Sequence, residues 1–433
     1  MNTQIKKIVE EIAPLRRMIN SKGMDQAFEI VKKYLPGLIV HEYKPGSAAD
    51  DWEVPCGWEL IRAHIKNSKG ETIASDKDSH LLVAAYSEPV NGQFTKAEMA
   101  KHLRCHPIIK DAFFMEHRNA YNYALVDWGM TLPQNVWDSL SDTEAYEVLI
   151  EVEKDYNRTM KVGEIFIQGK TDQVICLNAH IDELCNDNLS SCAVLIELFR
   201  KLTTNPDFKP HYSYQLQLIP EVIGTFFYVR NNMEVVRKTV AMINLETVGR
   251  GENWLIKSSL KGGRYIDRLM EVTGQMVLEG HQTCDMFGGY GNEERVYEYP
   301  TVAVPSVALQ RFPFDEYHSS ADTPDKLSDA HLNKALAFTE KLIDIIEKDF
   351  IPEYTMILAP WLTKHGLYFD SKDQPELFNI FMNQVQFNID GKNSLVDLCH
   401  TYQINFDTLY EYLMQFIQKD FLKKNDKHEI WKS

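Results

Sequence analysis

Four apolar runs that alternate with helical patterns restrict the fold of this chain more than any other feature. The runs span residues 174–179, 212–219, 241–245 and 304–309. Residues 193–202 and 331–348 carry apolar side chains at helical spacing between and after these runs. Apolar strands interleaved with helices are typical of a mostly parallel sheet covered by helices on both faces. The chain from about residue 120 to about residue 350 is therefore predicted to be an α/β domain.

Each apolar run leads into a residue that can bind a metal or move a proton. His180 follows the first run, Glu221 comes just after the second and Glu246 follows the third. The fourth run leads into a loop that carries His318. Open α/β sheets place their chemistry at the carboxyl ends of the strands, so these side chains are expected to lie close together. Any one of them could be a solvated charge at a strand end, and only the ordered set indicates a site.

Two acids follow His180 before the next helical stretch. These are Asp182 and Asp187, the latter in the run Asp-Asn-Leu-Ser-Ser at residues 187–191. Imidazole and carboxylate groups are preferred ligands of zinc and similar divalent ions. The alternative interpretation is a strand followed by an Asp/Ser helix cap and a polar loop that binds nothing.

The order of these segments resembles the co-catalytic zinc aminopeptidases, the family of the bacterial leucyl aminopeptidases and their glutaminyl cyclase relatives. The resemblance rests on His-x-Asp, Asp-Asn-x-Ser, the strand-end Glu, and Tyr-His-Ser-Ser-Ala-Asp-Thr-Pro-Asp at residues 317–325. It implies that His180, Asp187 and Glu246 hold one zinc ion. It also implies that Asp187 bridges to a second ion held by His318.

The same resemblance implies catalytic and substrate-binding roles. Glu221 would be the general base that takes a proton from metal-activated water, and Asp182 would fix the tautomer of His180. Glu293 lies in a Gly-rich segment similar to the family's Gly-Ser-Asp substrate loop, and would meet a substrate amine; the alternative is a solvated surface loop. Tyr317 would also bind substrate. The implied substrate is a peptide or aminoacyl amide.

The chain departs from the family pattern at Val222. The family has two adjacent acids after this strand, but here Val222 follows Glu221, so one ligand of the second metal is missing. We therefore expect one tight zinc site and leave the second open. The alternatives are a site with one metal on His180, Asp187 and His318, a site with two metals completed by Glu293 or Glu294, and a hydrolytically inactive metal-binding or regulatory protein that acts through protein contacts.

Cys185 lies between two of the candidate ligands. A thiolate there would be a soft metal ligand, whereas a small buried filler is the more common role of such a residue.

The flanking segments predict further domains. Short β-rich runs separated by polar turns indicate an inserted β-rich domain at residues 37–104, which divides the catalytic domain into residues 1–36 and 105–350. Three helical patterns follow Pro352. Both segments resemble a multidomain bacterial aminopeptidase-like branch, and the resemblance implies a C-terminal winged-helix-like domain at residues 355–433.

Composition narrows the class of protein and its partners. A net charge of −16 and an acidic segment at residues 407–412 disfavour nucleic acid, so protein contact, including a homo-oligomer, is the expected use of the C-terminal domain. Seven cysteines without paired short spacing favour a reducing, cytoplasmic location. No signal peptide and no run of roughly 20 apolar residues is visible, so no membrane contact is expected.

Overall fold

The fold centres on an eight-stranded mixed sheet in a computed structural model that describes residues 4–116, 127–368, 372, 375–425 and 430–431. The strands are β1 (Ile39–Tyr43), β2 (Ala48–Ala49), β3 (Trp52–Glu53), β4 (Gly57–Lys66), β5 (Thr72–Ser75), β6 (Val90–Thr95), β7 (Leu103–Arg104), β8 (Met130–Thr131), β9 (Ala145–Asp155), β10 (Met160–Ile167), β11 (Val174–His180), β12 (Ser213–Ile219), β13 (Thr239–Glu246), β14 (Asn253–Lys257), β15 (Gln282–Cys284), β16 (Ser306–Phe312), β17 (Ile351–Tyr354) and β18 (Leu422–Asn425).

Helices connect and cover these strands. The α-helices are α1 (Ile5–Ile12), α2 (Lys22–Tyr34), α3 (Lys96–Met99), α4 (Gln134–Ser139), α5 (Leu189–Thr204), α6 (Ile223–Asn231), α7 (Met233–Val236), α8 (Tyr265–Val277), α9 (Glu293–Tyr297), α10 (Asp329–Lys348), α11 (Pro375–Asn383), α12 (Leu395–Tyr402) and α13 (Phe406–Gln418). Short 3₁₀ helices span His80–Leu82, Pro324–Lys326, Leu362–His365 and Val385–Asn388.

The large sheet is parallel at its centre and mixed at its edges. Its order is β1-β10-β12-β11-β13-β16-β14-β15, and the four strands from β12 to β16 pair in parallel. The antiparallel pairs are β1 with β10, β10 with β12, and β14 with β16. The predicted α/β fold is confirmed, and the parallel part is the part that carries the strand-end residues.

Both faces of the sheet are buried, as the continuous apolar runs predict. Successive side chains of a strand point to opposite faces. Ile175 and Leu177 of β11 pack into the core that contains α1, α5 and α10, whereas Cys176 packs into a second core with Tyr228 of α6 and Tyr297 of α9. This double burial explains why β11 shows no alternation of polar and apolar residues.

Three strands from the predicted inserted domain and β9 form a separate four-stranded antiparallel sheet. Its order is β5-β4-β9-β6, and its core includes Trp58, Ile65 and Tyr146. The two sheets do not follow the predicted boundaries at residues 37 and 104. Strand β1 pairs within the large sheet, and β9, which lies well beyond residue 104, is a central strand of the small one. A strand pattern does not show which partner it pairs with, so sequence periodicity does not define such a boundary.

The C-terminal segment packs directly against the α/β domain. Helices α11, α12 and α13 cover the three helical patterns seen after Pro352, and β17 pairs with β18. Arg268 of α8 binds Asp397 of α12 at 2.7 Å, and Leu395 and Phe416 join the core that contains α5. The winged-helix assignment stays a prediction.

Within the described ranges, no helix is long and apolar enough to span a membrane. The seven cysteines are all free thiols.

Candidate metal centre

The candidate centre lies at the carboxyl ends of three adjacent parallel strands. His180 is the last residue of β11, Glu246 is the last residue of β13, and Glu221 lies just beyond the end of β12. Because β11 pairs with both β12 and β13, the sheet itself holds these positions next to one another. The loop from β11 to α5 adds Asp182 and Asp187 at the same edge.

A first group of candidate ligands consists of His180, Asp187 and Glu246. His180 Nε2 lies 3.5 Å from Asp187 Oδ1 and 3.4 Å from Glu246 Oε2. All three side chains are buried, and His180 Nε2 and Glu246 Oε1 have no hydrogen-bond partner among the residues that the structure describes. Leaving such atoms buried without a partner is costly. An imidazole nitrogen and carboxylate oxygens converging in this way fit a zinc-like cation.

A second group shares Asp187 with the first. Asp187 Oδ2 lies 3.0 Å from His318 Nε2, and Glu183 Oε2 lies 3.8 Å from the same nitrogen. Ligand atoms of Glu183, Asp187 and His318 all lie within 4.8 Å of one another. The two oxygens of Asp187 therefore face the two groups, which is the arrangement of a bridging carboxylate.

Glu183 is the residue that sequence reasoning missed. The interpretation of Val222 as a lost ligand led to Glu293 and Glu294 as replacements, but the described structure brings Glu183 to Asp187 and His318 instead. The only available signal was its position in the short interval between His180 and Asp187.

Without a cation, the buried carboxylates of the two groups repel one another. Burial raises the pKa of Glu183 and of Glu246 well above the ordinary carboxyl value, and the nearby Asp187 adds to both shifts. Burial alone would lower the pKa of His180, yet Glu246 and Asp182 raise it well above its ordinary value. A divalent cation would stabilise the ionised carboxylates in place of protons.

Asp182 connects the first group to Glu221. Its Oδ1 lies 3.4 Å from His180 Nδ1, on the side of the ring away from Asp187 and Glu246. The two oxygens of Asp182 also accept the backbone N–H of Glu221, at 3.0 and 3.2 Å. One carboxylate therefore orients both the imidazole and the segment that carries the candidate base.

Two buried side chains hold the loop that carries Glu183 and Asp187. Arg17 donates to the carbonyl oxygens of Glu183 and Leu184 at 2.9 and 2.7 Å. Asp322 accepts the backbone N–H groups of Cys185, Asn186 and Asp187, at distances between 2.8 and 3.2 Å. Arg17 and Asp322, which both lie outside the loop, therefore hold its backbone in place. Asp322 belongs to the recognised 317–325 segment, whereas nothing in the sequence pointed to Arg17.

Four of the nine non-glycine residues with positive φ in the described ranges lie at the centre. Glu183, Val222, Thr247 and His318 have φ angles of 70°, 58°, 49° and 53°. Residues other than glycine rarely adopt this left-handed region, and such strain is typical of functional sites. Each of these residues is a candidate ligand or immediately follows Glu221 or Glu246.

The Gly-rich loop and the Tyr317 region reach the same centre. Asn292 donates to Glu246 Oε2 at 2.5 Å, and Glu293 Oε1 accepts the N–H of Val222 at 2.9 Å. Burial, together with Glu221, raises the pKa of Glu293 to about 8. The Tyr317 ring stacks on His318 with centroids 3.8 Å apart. Both predicted substrate-binding residues therefore lie beside the candidate ligands.

Cys185 and Glu294 do not join the groups. Burial raises the pKa of Cys185 to about 12, so the thiol stays protonated near neutral pH, and its backbone rather than its sulfur is held by Asp322. Glu294 forms a buried ion pair with Lys257, with Nζ 2.6 Å from Oε1. Lys257 also donates to the carbonyl oxygen of Tyr290, so this pair supports the Gly-rich loop.

Lys257→Met is expected to destabilise the protein by about 3–5 kcal/mol, because it leaves Glu294 buried without its cation. Urea unfolding of the metal-loaded protein would measure the change. Lys261→Met, at an exposed position, is the matched control and should have little effect. Adding Glu294→Leu to Lys257→Met should recover most of the loss. Equal unfolding midpoints for Lys257→Met and the wild type would contradict this account of the loop.

Comparisons with known proteins agree with this architecture. The profile of the family described as "Domain of unknown function (DUF4910)" matches residues 6–349. A Clostridium acetobutylicum protein described as a "Putative polysaccharide biosynthesis protein with aminopeptidase-like domain" is 29% identical over 418 residues, which cover 93% of this chain and 92% of that protein.

Solved structures show the same fold. A crystal structure of a "putative peptidase" from Clostridium acetobutylicum has a TM-score of 0.84 and 28% identity, covering 98% of this chain and 96% of that one. A zinc aminopeptidase from Bacillus subtilis has a TM-score of 0.58 and 12% identity, covering 79% of this chain and 94% of its own. The latter likeness establishes the fold alone, and it confirms the aminopeptidase-like fold that the strand-end motifs predict.

Proposed function

The chain belongs to the DUF4910 family, and from the geometry of its centre we propose that it is a metal-dependent, peptidase-like hydrolase. The proposed reaction removes an N-terminal residue or cleaves a small aminoacyl amide. The observation that carries the proposal is the pair of ligand groups that share Asp187 at the carboxyl edge of the sheet. The aminopeptidase-like fold of the neighbours supports the same reaction class.

In this proposal His180, Asp187 and Glu246 hold the first zinc ion. When bound, zinc polarises the substrate carbonyl and lowers the pKa of water toward about 7. Asp182 keeps Nε2 of His180 directed at Asp187 and Glu246 by occupying the Nδ1 side of the ring. Asn188 and Asn292 both donate to Glu246 Oε2, which fixes the orientation of that carboxylate.

The remaining residues bind the substrate and move the proton. A carboxylate oxygen of Glu221 takes the proton from the attacking water and passes it to the nitrogen of the departing amine. Glu293 is the candidate for binding the substrate amine, because it is buried beside Glu221 and its Oε2 has no hydrogen-bond partner within the described part of the chain. Tyr317, stacked on His318, forms an aromatic wall for the substrate.

Glu183 completes a second metal site in this proposal. It takes the place of the acid that the family has where this chain has Val222, so the missing ligand comes from the β11–α5 loop instead of from the end of β12. The loop is short, Arg17 fixes the carbonyl of Glu183, and the left-handed backbone at Glu183 turns the chain there. This revises the expectation of a single tight site to a site for two metals.

Glu183→Gln is expected to lower the metal content of zinc-loaded protein from about two ions per chain to about one, since an amide is a much poorer zinc ligand than a carboxylate. Elemental analysis after exhaustive dialysis would measure it. Glu279→Gln, at an exposed position, is the matched control and should keep both ions. If Glu183→Gln retains both ions, the second ion is held by other residues.

The reaction itself is tested by incubating the zinc-loaded protein with a panel of aminoacyl amides and dipeptides. Release of the N-terminal residue that stops on chelation and resumes on zinc addition would support the proposal. A metal-loaded protein that cleaves none of them would favour the metal-binding or regulatory alternative.

A further inference from the structure

Large apolar side chains are exposed together on the C-terminal segment. The bend after β17 and the residues that follow it present most of them, and we call the set the C-terminal apolar face: Met356, Ile357, Leu358, Trp361, Tyr368 and Phe387. Ile357 is fully exposed. Leu358, Trp361 and Phe387 each keep more than two thirds of their surface exposed. Single exposed apolar residues are ordinary, but a patch of them marks a contact surface.

A recess of about 670 Å³ opens beside this face. Its apolar lining includes Tyr354, Trp361, Tyr368, Phe381, Met382 and Phe416. Trp361 and Tyr368 belong both to the recess and to the C-terminal apolar face, so the two are continuous. The bend at residues 355–358 leaves the recess wall at Tyr354 and rejoins it at Ala359. An apolar projection and an apolar hollow therefore lie side by side.

This surface has almost no charge in a strongly acidic protein. Charged residues make up 25% of the chain, and its net charge is −16. Residues 354–368 contain a single lysine, Lys364, and no acid or arginine, and residues 378–389 contain no Asp, Glu, Lys or Arg. Depletion of charge with retention of aromatic side chains and methionine is typical of the core of a protein interface. A partner must be equally uncharged at the contact, because a charge buried there would lose water without gaining a counter-charge.

The exposed area fits one half of a dimer interface. Side chains of this size present roughly 150–250 Å² each when fully exposed. At their observed exposures, the members of the C-terminal apolar face offer roughly 600–1,000 Å² together. One partner of a standard interface buries about 800 Å².

We propose that the C-terminal apolar face binds a second copy of this chain about a two-fold axis, with the 355–358 bend of each copy in the recess of the other. A two-fold pairing requires a surface that is complementary to itself. The adjoining projection and recess meet this requirement, and the second copy supplies the uncharged counterpart. The inference does not depend on the proposed hydrolase function.

Sedimentation equilibrium of the full-length protein tests the proposal. The wild type should be a dimer with a dissociation constant in the micromolar range or below, as interfaces of about 1,600 Å² have. Ile357→Glu combined with Leu358→Glu should weaken the dimer by at least ~100-fold, because each added carboxylate would enter an apolar recess without a counter-charge. Ile108→Glu, on an isoleucine that is 70% exposed outside this face, is the matched control and should dimerise as the wild type does.

The salt dependence of the wild-type dimer gives a second measurement. Two copies that each carry a net charge of −16 repel one another, and salt screens that repulsion. An apolar contact is not weakened by such screening. Added NaCl should therefore tighten the dimer, and a dimer that dissociates as NaCl rises would overturn the proposal.

Further outcomes are equally decisive. Phe387→Glu, on the other uncharged segment, should also release monomers, and it covers the case in which the first variant fails to fold. A dimer that persists in both variants would place the contact elsewhere and overturn the proposal. A wild type that is monomeric would overturn it as well. If that monomer also sediments with phosphatidylcholine vesicles, the C-terminal apolar face binds a membrane surface instead.

Discussion

His180→Ala is expected to remove tightly bound zinc from the first site, weakening it by at least ~100-fold, more than the loss of a supporting hydrogen bond to a ligand. His180 is the only imidazole that the described structure places in contact with both Asp187 and Glu246. Without it the remaining ligands of that site are carboxylates. Elemental analysis of protein dialysed against trace zinc would measure the loss, together with zinc titration monitored by calorimetry.

Two further variants make this result specific. His318→Ala should remove the second ion and keep the first, because His318 contacts Asp187 through the other carboxylate oxygen. His281→Ala changes a half-buried histidine outside both groups and should keep both ions. Wild-type protein that carries no metal above background after zinc is supplied would defeat the assignment of the whole centre.

The strand-end residues were predictable because they depend on a simple regularity. An apolar run long enough to be a buried strand ends where the chain leaves the sheet, and parallel neighbours end at the same edge. The runs before His180, Glu221 and Glu246 all fit this rule, and the structure places them on the adjacent strands β11, β12 and β13. The α/β fold followed from the same pattern.

Glu183 was not predictable in this way because its role depends on loop geometry. Its side chain reaches Asp187 and His318 only when the β11–α5 loop takes one conformation, with Glu183 at a φ of 70°. That conformation is held by Arg17, which is distant in sequence, and by Asp322. Sequence spacing shows neither contact, so Glu183 is recognised as a candidate ligand only once the loop conformation is known.

The strands of the predicted inserted domain show the same limit of prediction from sequence. Strand patterns identified a β-rich segment, but strand partners are chosen by packing between distant segments. The pairing of β9 with both β4 and β6 brings residues from outside the predicted 37–104 segment into the small sheet.

Glu221→Gln is expected to lower amide hydrolysis by at least ~100-fold while the metal and the fold are retained. Glutamine has nearly the same size as glutamate, but its amide cannot take the proton from water. The backbone N–H of residue 221 donates to both oxygens of Asp182, and the substitution does not remove these bonds. Measurements of kcat/KM on aminoacyl amides, with elemental analysis and circular dichroism of the same preparations, would establish each point.

The matched control for this variant is Glu252→Gln, on an exposed glutamate outside both ligand groups, which should hydrolyse amides as the wild type does. Loss of zinc from Glu221→Gln would reassign Glu221 as a ligand. The role of base would then pass to another carboxylate, for which Glu293, which accepts the N–H of Val222, is a candidate. Full activity of Glu221→Gln on a substrate that the wild type cleaves would reject the proposed proton transfer and leave the hydrolase class standing. Because these outcomes differ in metal content as well as in rate, the two measurements together decide whether Glu221 moves the proton or holds the metal.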